Sequence, residues 1–155
     1  MEEILRRTNS VLFRSTSEGQ FVTMLIVHVD PRSRTLTFAN AGHPSGYVFS
    51  AAGQLKFSLD SLSMPLALDL DTDFPVSGPI LIESGDLIVL VTDGVLEARS
   101  GAGAFFGVHR TLQVVRDQVH TPTETILRSV HSAIHDFTGT EAPQDDETIV
   151  LIKIR

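Results

Sequence analysis

Two short apolar runs, each abutting acids, constrain this chain more than any other feature. Leu87-Ile88-Val89-Leu90-Val91 leads directly into Thr92-Asp93-Gly94, and Gln144-Asp145-Asp146-Glu147 opens Thr148-Ile149-Val150-Leu151-Ile152. Runs of this length, rich in Val and Ile and bounded by turn formers, read as strands. Two such strands present acids at one rim. Hard divalent cations such as Mg²⁺ and Mn²⁺ take carboxylate and water oxygens, so Asp residues at the ends of adjacent strands are candidates to hold one and activate its water. A plainer reading fits the same residues: Asp-Gly after a strand is a common hairpin turn, and acids before a strand are often merely solvated.

Composition narrows the partners. With 155 residues, 42% hydrophobic and 20% charged, the chain is expected to form one globular domain with a real core. Twelve basic against 19 acidic residues give a net charge of -7, without a basic run able to track a phosphate backbone, which speaks against nucleic acid. The absence of cysteine excludes a disulfide scaffold, a thiol nucleophile and a thiolate zinc site. The opening Met-Glu-Glu lacks the basic and apolar parts of a signal peptide, and no apolar run approaches the ~20 residues that span a bilayer. The expected location is the cytoplasm, away from membranes.

Along the chain, Glu2 to Phe13 reads as a helix with Ile4, Leu5, Val11 and Leu12 on one face, ended by a turn at Ser17-Glu18-Gly19. Phe21 to Val29 reads as a buried strand, Asp30-Pro31-Arg32-Ser33 as a turn and Thr35 to Ala39 as its antiparallel partner. Gly46 to Phe49 and Gln54 to Leu59 form a second hairpin across Ala52-Gly53, after Pro44 has broken the pairing. Val76 to Ile82, turning at Ser84-Gly85-Asp86 into Leu87 to Val91, reads as a third. The period then changes: Val95 to Arg99 suggests a short helix, and Val108 to Val119 and Thr123 to Phe137 two amphipathic ones. Thr121 and Glu124 have capping-box spacing, with Pro122 at the first helical position. Gly139 to Pro143 reads as a polar loop and Glu147 to Ile154 as a closing strand. Hairpins, then helices, then a returning strand predict an α+β fold with antiparallel sheets.

The order of these pieces resembles a known family. Phe21-Val22-Thr23, Ala39-Asn40-Ala41-Gly42-His43-Pro44, Ser84-Gly85-Asp86, Thr92-Asp93-Gly94-Val95-Leu96-Glu97-Ala98-Arg99, Phe106-Gly107 and Gln144-Asp145-Asp146-Glu147-Thr148 occur in the order seen in the SpoIIE-like branch of the PPM (protein phosphatase 2C superfamily) Ser/Thr phosphatases. The resemblance covers nearly the whole chain. It implies an α-β-β-α sandwich, two antiparallel sheets flanked by helices, with a two-ion Mn²⁺ or Mg²⁺ centre at one end. It further implies that Asp93 and Asp145 are metal ligands and that Asp146 supports the ligand beside it. Glu97 falls where the wider superfamily often has an acid for an additional metal, although a Glu in a first helical turn is favourable by dipole alone. Gly94 lets the backbone come close to the site, or simply serves a turn.

The implied reaction is hydrolysis of phosphoserine or phosphothreonine by a metal-activated water, commonly on a phosphorylated anti-sigma-factor antagonist of the STAS fold in bacterial partner switching. The chain departs from the family in one respect: neither the Gly-Asp-aromatic-aromatic-Asp motif nor the Asp-Val-Ser-Gly-His-Gly-like motif occurs in residues 1–155. The first supplies the Asp that bridges both ions, without which a two-metal displacement cannot be assembled. The expectation is therefore an N-terminally truncated domain over residues 1–155, its first strands missing, with weak or absent metal binding, no activity alone, and a tendency to self-associate or exchange strands. A degenerate phosphatase fold that binds a phosphoprotein or regulatory partner without hydrolysis is the alternative.

Other chemistry has less support. His43, beside Pro44, is a candidate near the substrate phosphate, or a turn histidine that fixes its loop. His131 and His135 have metal-ligand spacing but lack the Glu of His-Glu-x-x-His and a third ligand, so exposed helix histidines are expected. No Gly-x-Ser-x-Gly elbow or Walker-type loop is present.

Overall fold

Acids in its first turn and an arginine in its last favour the opening helix. A computed structural model of the protein describes residues 1–17, 19–139 and 145–155. In chain order the elements are α1 (Glu2–Ser15), β1 (Met24–Asp30), β2 (Thr35–Ala41), β3 (Gly46–Phe49), β4 (Leu55–Leu59), β5 (Ser77–Leu81), β6 (Leu87–Val91), α2 (Asp93–Leu96), α3 (Gly107–Gln118), α4 (Thr123–Thr138) and β7 (Ile149–Lys153). The fold is α+β. Its described strands form two antiparallel sheets, one ordered β1-β2-β5 and one ordered β4-β3-β6-β7. The chain divides into two compact units, Met1–Ser45 with Leu59–Ile82 and Gly46–Ser58 with Glu83–Arg155.

In the first unit β1 and β2 form the expected hairpin, from Met24 opposite Ala41 to Asp30 opposite Thr35. The Asp30 carboxylate closes the turn by accepting the Arg32 amide at 2.9 Å and the Ser33 hydroxyl at 2.7 Å. These bonds, the Ser33 hydroxyl foremost, hold its carboxyl below the usual aspartate range. Contrary to a buried strand from Phe21, the ladder with β2 starts at Met24, Val22 bridges instead to Leu66, Phe21 is exposed, and β1 is half-buried as the edge of its sheet.

The buried face of α1 also differs from expectation. Leu5 and Asn9 are buried and Leu12 packs beside them, while Ile4 and Val11 are exposed at 58% and 65%. Asn9 tolerates burial because its amide is fully engaged: it accepts the Ala67 N–H at 2.7 Å and donates to the carbonyls of Asp69 at 2.8 Å and Leu70 at 3.4 Å. This clamp holds Ala67 at φ 71°, a left-handed conformation unusual for a residue with a Cβ. Leu5, Ala39, Ala41, Leu66 and Phe74 make the adjoining core.

The second unit is built on β6. Leu87, Ile88 and Val89 are all fully buried, so neither face of this strand is open to solvent, and it pairs with β3 on one edge and β7 on the other. The expected hairpin of β5 with β6 does not form, because β5 pairs with β2 in the other sheet. The intervening turn is instead docked on the end of β7: Gly85 donates to Ile154 O and Ile154 to Asp86 O, both at 2.8 Å. Asp86, 1% exposed, accepts the Glu83 amide at 2.9 Å and the Lys56 ammonium of β4 at 2.6 Å. The hairpin of β3 with β4 forms as expected.

α3 and α4 cover one face of this sheet, where Phe49, Leu87, Val89 and Val91 meet Phe106, Val115, Ile126 and Val130. The capping box at the start of α4 is absent. Pro122 is itself the N-cap, and the Thr121 hydroxyl turns back to Gln118 O at 2.8 Å. Competition from the carbonyl at the end of α3 draws this hydroxyl away from α4. Gly139 caps the far end at φ 68°, and the expected loop beyond it, 140–143, lies outside the described residues.

Candidate functional site

The β6–β7 ladder ends with Val91 opposite Ile149, so the next residues of both strands emerge at one rim. Thr92 continues the pairing by donating its N–H to Thr148 O at 3.1 Å, and its hydroxyl accepts the Thr148 N–H at 3.0 Å. The same hydroxyl donates to Asp146 O at 3.3 Å. Asp93 then opens α2, with the Glu97 amide donating to Asp93 O at 2.7 Å. Thr92-Asp93-Gly94 is therefore a strand-to-helix junction, and the hairpin-turn reading is excluded.

Gly94 brings the two acid-bearing segments together. It is buried and has no positive φ, so turn duty does not require it. A Cβ at this position would lie 2.4 Å from Asp146 O and 2.9 Å from its carbonyl carbon, both backbone atoms that cannot swing aside. Only glycine permits this approach.

Asp93 and Asp145 adopt the same local arrangement. Each accepts the amide of the following residue on Oδ1, Gly94 N at 3.0 Å and Asp146 N at 2.8 Å. Both are exposed, as are Glu97 and Asp146. A cleft of about 170 Å³ is lined by Gly94, Glu97, Ala98, Arg99 and Asp145. Thr92 and Arg99 stand at the two ends of the Thr92–Arg99 motif, and nothing in the sequence marks either for a role at this rim. The Arg99 guanidinium lies 4.5 Å from the Phe105 ring centroid, which orders a cation beside the carboxylates.

The donors suit Mg²⁺ or Mn²⁺ in kind, being carboxylate oxygens on well-anchored backbone. They fall short in number. Among the described residues no three His, Cys, Asp or Glu side chains are grouped closely enough to hold an ion.

His131 and His135 are both about half exposed, at 50% and 51%, and lie 3.6 Å from Glu147 and Asp136 respectively. They follow the expectation for helix histidines. His43 belongs to the first unit, where its ring Nδ1 is 3.0 Å from the Thr23 hydroxyl and its amide donates to Asn40 Oδ1 at 2.9 Å. These bonds tie its loop to β2 and to the residue just ahead of β1.

The comparisons with known proteins agree with this architecture. Phosphoserine phosphatase RsbU of Bacillus subtilis (strain 168) is 22% identical over 151 residues, covering 97% of this chain and 44% of RsbU. The chain thus spans less than half the length of that relative. The SiaA-PP2C domain of Pseudomonas aeruginosa superimposes with a TM-score of 0.80 at 25% identity, covering 99% of this chain and 61% of that domain. The phosphatase domain of SpoIIE from Bacillus subtilis, in a structure described as Mn presoaked, gives a TM-score of 0.63 at 18% identity, covering 99% and 67%. The family model for Stage II sporulation protein E (SpoIIE) matches residues 1–155 in full, and the chain belongs to that family.

Proposed function

We propose that this chain is the C-terminal part of a metal-dependent protein serine/threonine phosphatase domain, with Asp93 and Asp145 as metal ligands and Asp146 and Glu97 beside them. The observation that carries the reading is the joining of two acid-bearing strand ends through Gly94, whose missing Cβ leaves room for Asp146 O. When bound, Mn²⁺ or Mg²⁺ supplies Lewis acidity toward water and the phosphoryl group. The chain's own part is to hold carboxylates at fixed positions on α2 and the approach to β7.

The substrate is a phosphorylated protein, and the name of RsbU, a phosphoserine phosphatase, supports that class. Within it we favour a STAS-domain anti-sigma-factor antagonist in a partner-switching pathway of the cytoplasm. No helix of the described residues is long and apolar enough to cross a membrane, which suits such a setting. Residues 1–155 act as one part of a larger phosphatase domain. They lack the Gly-Asp-aromatic-aromatic-Asp motif, so the bridging carboxylate must come from elsewhere and the isolated chain is inactive.

Mn²⁺-dependent hydrolysis of p-nitrophenyl phosphate tests this, using the chain, its Asp93→Asn variant and a longer chain that carries the bridging motif ahead of residue 1. Silence from the short chain with Asp93-dependent activity in the long one is expected. Activity in the short chain that Asp93→Asn abolishes would mean that residues 1–155 hold a complete ligand set. Silence from both would turn the assignment to a non-catalytic module that binds a phosphoprotein.

A further inference from the structure

Thr92 carries no charge, yet three of its hydrogen bonds cross to the segment that bears Asp145 and Asp146. Its N–H donates to Thr148 O at 3.1 Å, its Oγ1 accepts the Thr148 N–H at 3.0 Å, and that Oγ1 donates to Asp146 O at 3.3 Å. One hydroxyl can do both because it has one proton to give and two lone pairs to receive. The geometry is informative because of where the regular structure stops. The β6–β7 ladder ends at Val91 and Ile149, and residues 145–148 belong to no helix or strand. The Thr92 side chain reaches past that end to Asp146, adjacent to Asp145. Gly94 meets the same carbonyl through the space its missing Cβ leaves, so Asp146 O lies against both the Thr92 hydroxyl and Gly94.

We infer that Thr92 is a positioning residue, whose hydroxyl fixes the Asp145-Asp146 segment against Asp93 and so sets the spacing of the two carboxylates. Its consequence for metal binding rests on the reading of Asp93 and Asp145 as ligands, whereas its consequence for the segment's order does not. Residues that orient metal ligands typically change affinity by about 10- to 100-fold when removed. The hydroxyl is the necessary group. Valine has the shape of threonine without the donor and acceptor, and serine keeps both while losing only a methyl.

The test compares the chain with its Thr92→Val, Thr92→Ser and Asp93→Asn variants by NMR, using Mn²⁺ alone as the probe. Two quantities are read: hydrogen exchange of the Thr148 amide, and the Mn²⁺ concentration that broadens the Gly94 and Asp146 amides. In Thr92→Val, Thr148 exchange should quicken about tenfold, as expected for loss of one hydrogen bond. Broadening should need about tenfold more Mn²⁺. Thr92→Ser should stay near the parent in both, and it keeps the proposal testable if the valine variant does not fold. Unchanged Thr148 exchange in Thr92→Val, or a serine variant that behaves like valine, would overturn the positioning role. Broadening in the parent that survives Asp93→Asn would instead overturn the metal reading, and Thr148 exchange would still decide the role of Thr92.

Discussion

At the residue scale, the strongest constraint is steric. An alanine in a helix is ordinarily about 1 kcal/mol better than glycine. At position 94 the sign should reverse, because the added methyl would sit 2.4 Å from Asp146 O. Gly94→Ala should destabilise the fold by about 1–3 kcal/mol, the usual range for forcing extra volume into a filled site. Denaturant unfolding measures this directly, and a stabilised variant would show that the close approach is unimportant. Asp93→Asn makes the complementary case. Asparagine keeps the oxygen that accepts the Gly94 amide, so stability should stay within about 0.5 kcal/mol while any response to Mn²⁺ is lost. A large loss of stability would mark Asp93 as structural. Together the two substitutions separate the residue that lets the segments meet from the residue proposed to use that meeting.

At the element scale, the turn from Glu83 to Asp86 depends on one cation. Lys56 reaches in from β4 to Asp86, whose side chain is 2% exposed, and to the exposed Glu83. Burial works against the ammonium, but hydrogen bonds and attraction from Asp86 and Glu83 outweigh it and hold Lys56 above its ordinary 10.5. A lysine raised in the folded state gives stability that is whole below 10.5 and lost as pH climbs through the folded value. Urea midpoints between about pH 9 and 12 should therefore fall more for the parent than for Lys56→Met, which has already lost the pair. At neutral pH that variant should be weaker by about 3 kcal/mol, since it leaves Asp86 buried without its cation. Adding Asp86→Asn should recover part of the loss, and no recovery would mean that the lysine acts through packing alone.

The same turn explains which elements were legible in the sequence. Strands and helices followed from local period and turn formers, and the acids at the strand ends were evident because each abuts an apolar run. Sheet membership was not local. β5 and β6 are neighbours in sequence but join different sheets, a choice made by bonds from Gly85 and Asp86 to Ile154, far along the chain. The buried face of α1 is not legible locally because its centre is an asparagine, which looks solvent-facing until the carbonyls of Asp69 and Leu70 are brought beside it. The capping box failed for a similar reason, its threonine having a nearer acceptor at Gln118. At the candidate site the sequence showed the acids and a glycine with two explanations. Only the backbone of Asp146 beside Gly94 separates them.

At the scale of the whole molecule, the question is which surface associates first. Of the edge strands, β4, β5 and β7 are each five residues long; β4 carries Lys56 pointing inward to Asp86, a charge that an added strand would have to accommodate, β5 contains Pro79 and β7 contains Lys153. β1 is longer, at seven residues, and its Met24 to Val29 stretch contains no formal charge when His28 is neutral. Among the described residues it pairs on one side only, with β2. Strand addition or exchange should therefore begin at β1, opposed by the repulsion of a net charge of -7. Light scattering should show mass rising with protein concentration, and more steeply once salt screens that repulsion. His28 is the exposed position of β1, so His28→Lys should place a charge on the edge and lower the associated fraction without disturbing the hairpin. A monomer at all concentrations would mean that β1 is protected in the isolated chain, and association undiminished by His28→Lys would move the contact to another edge.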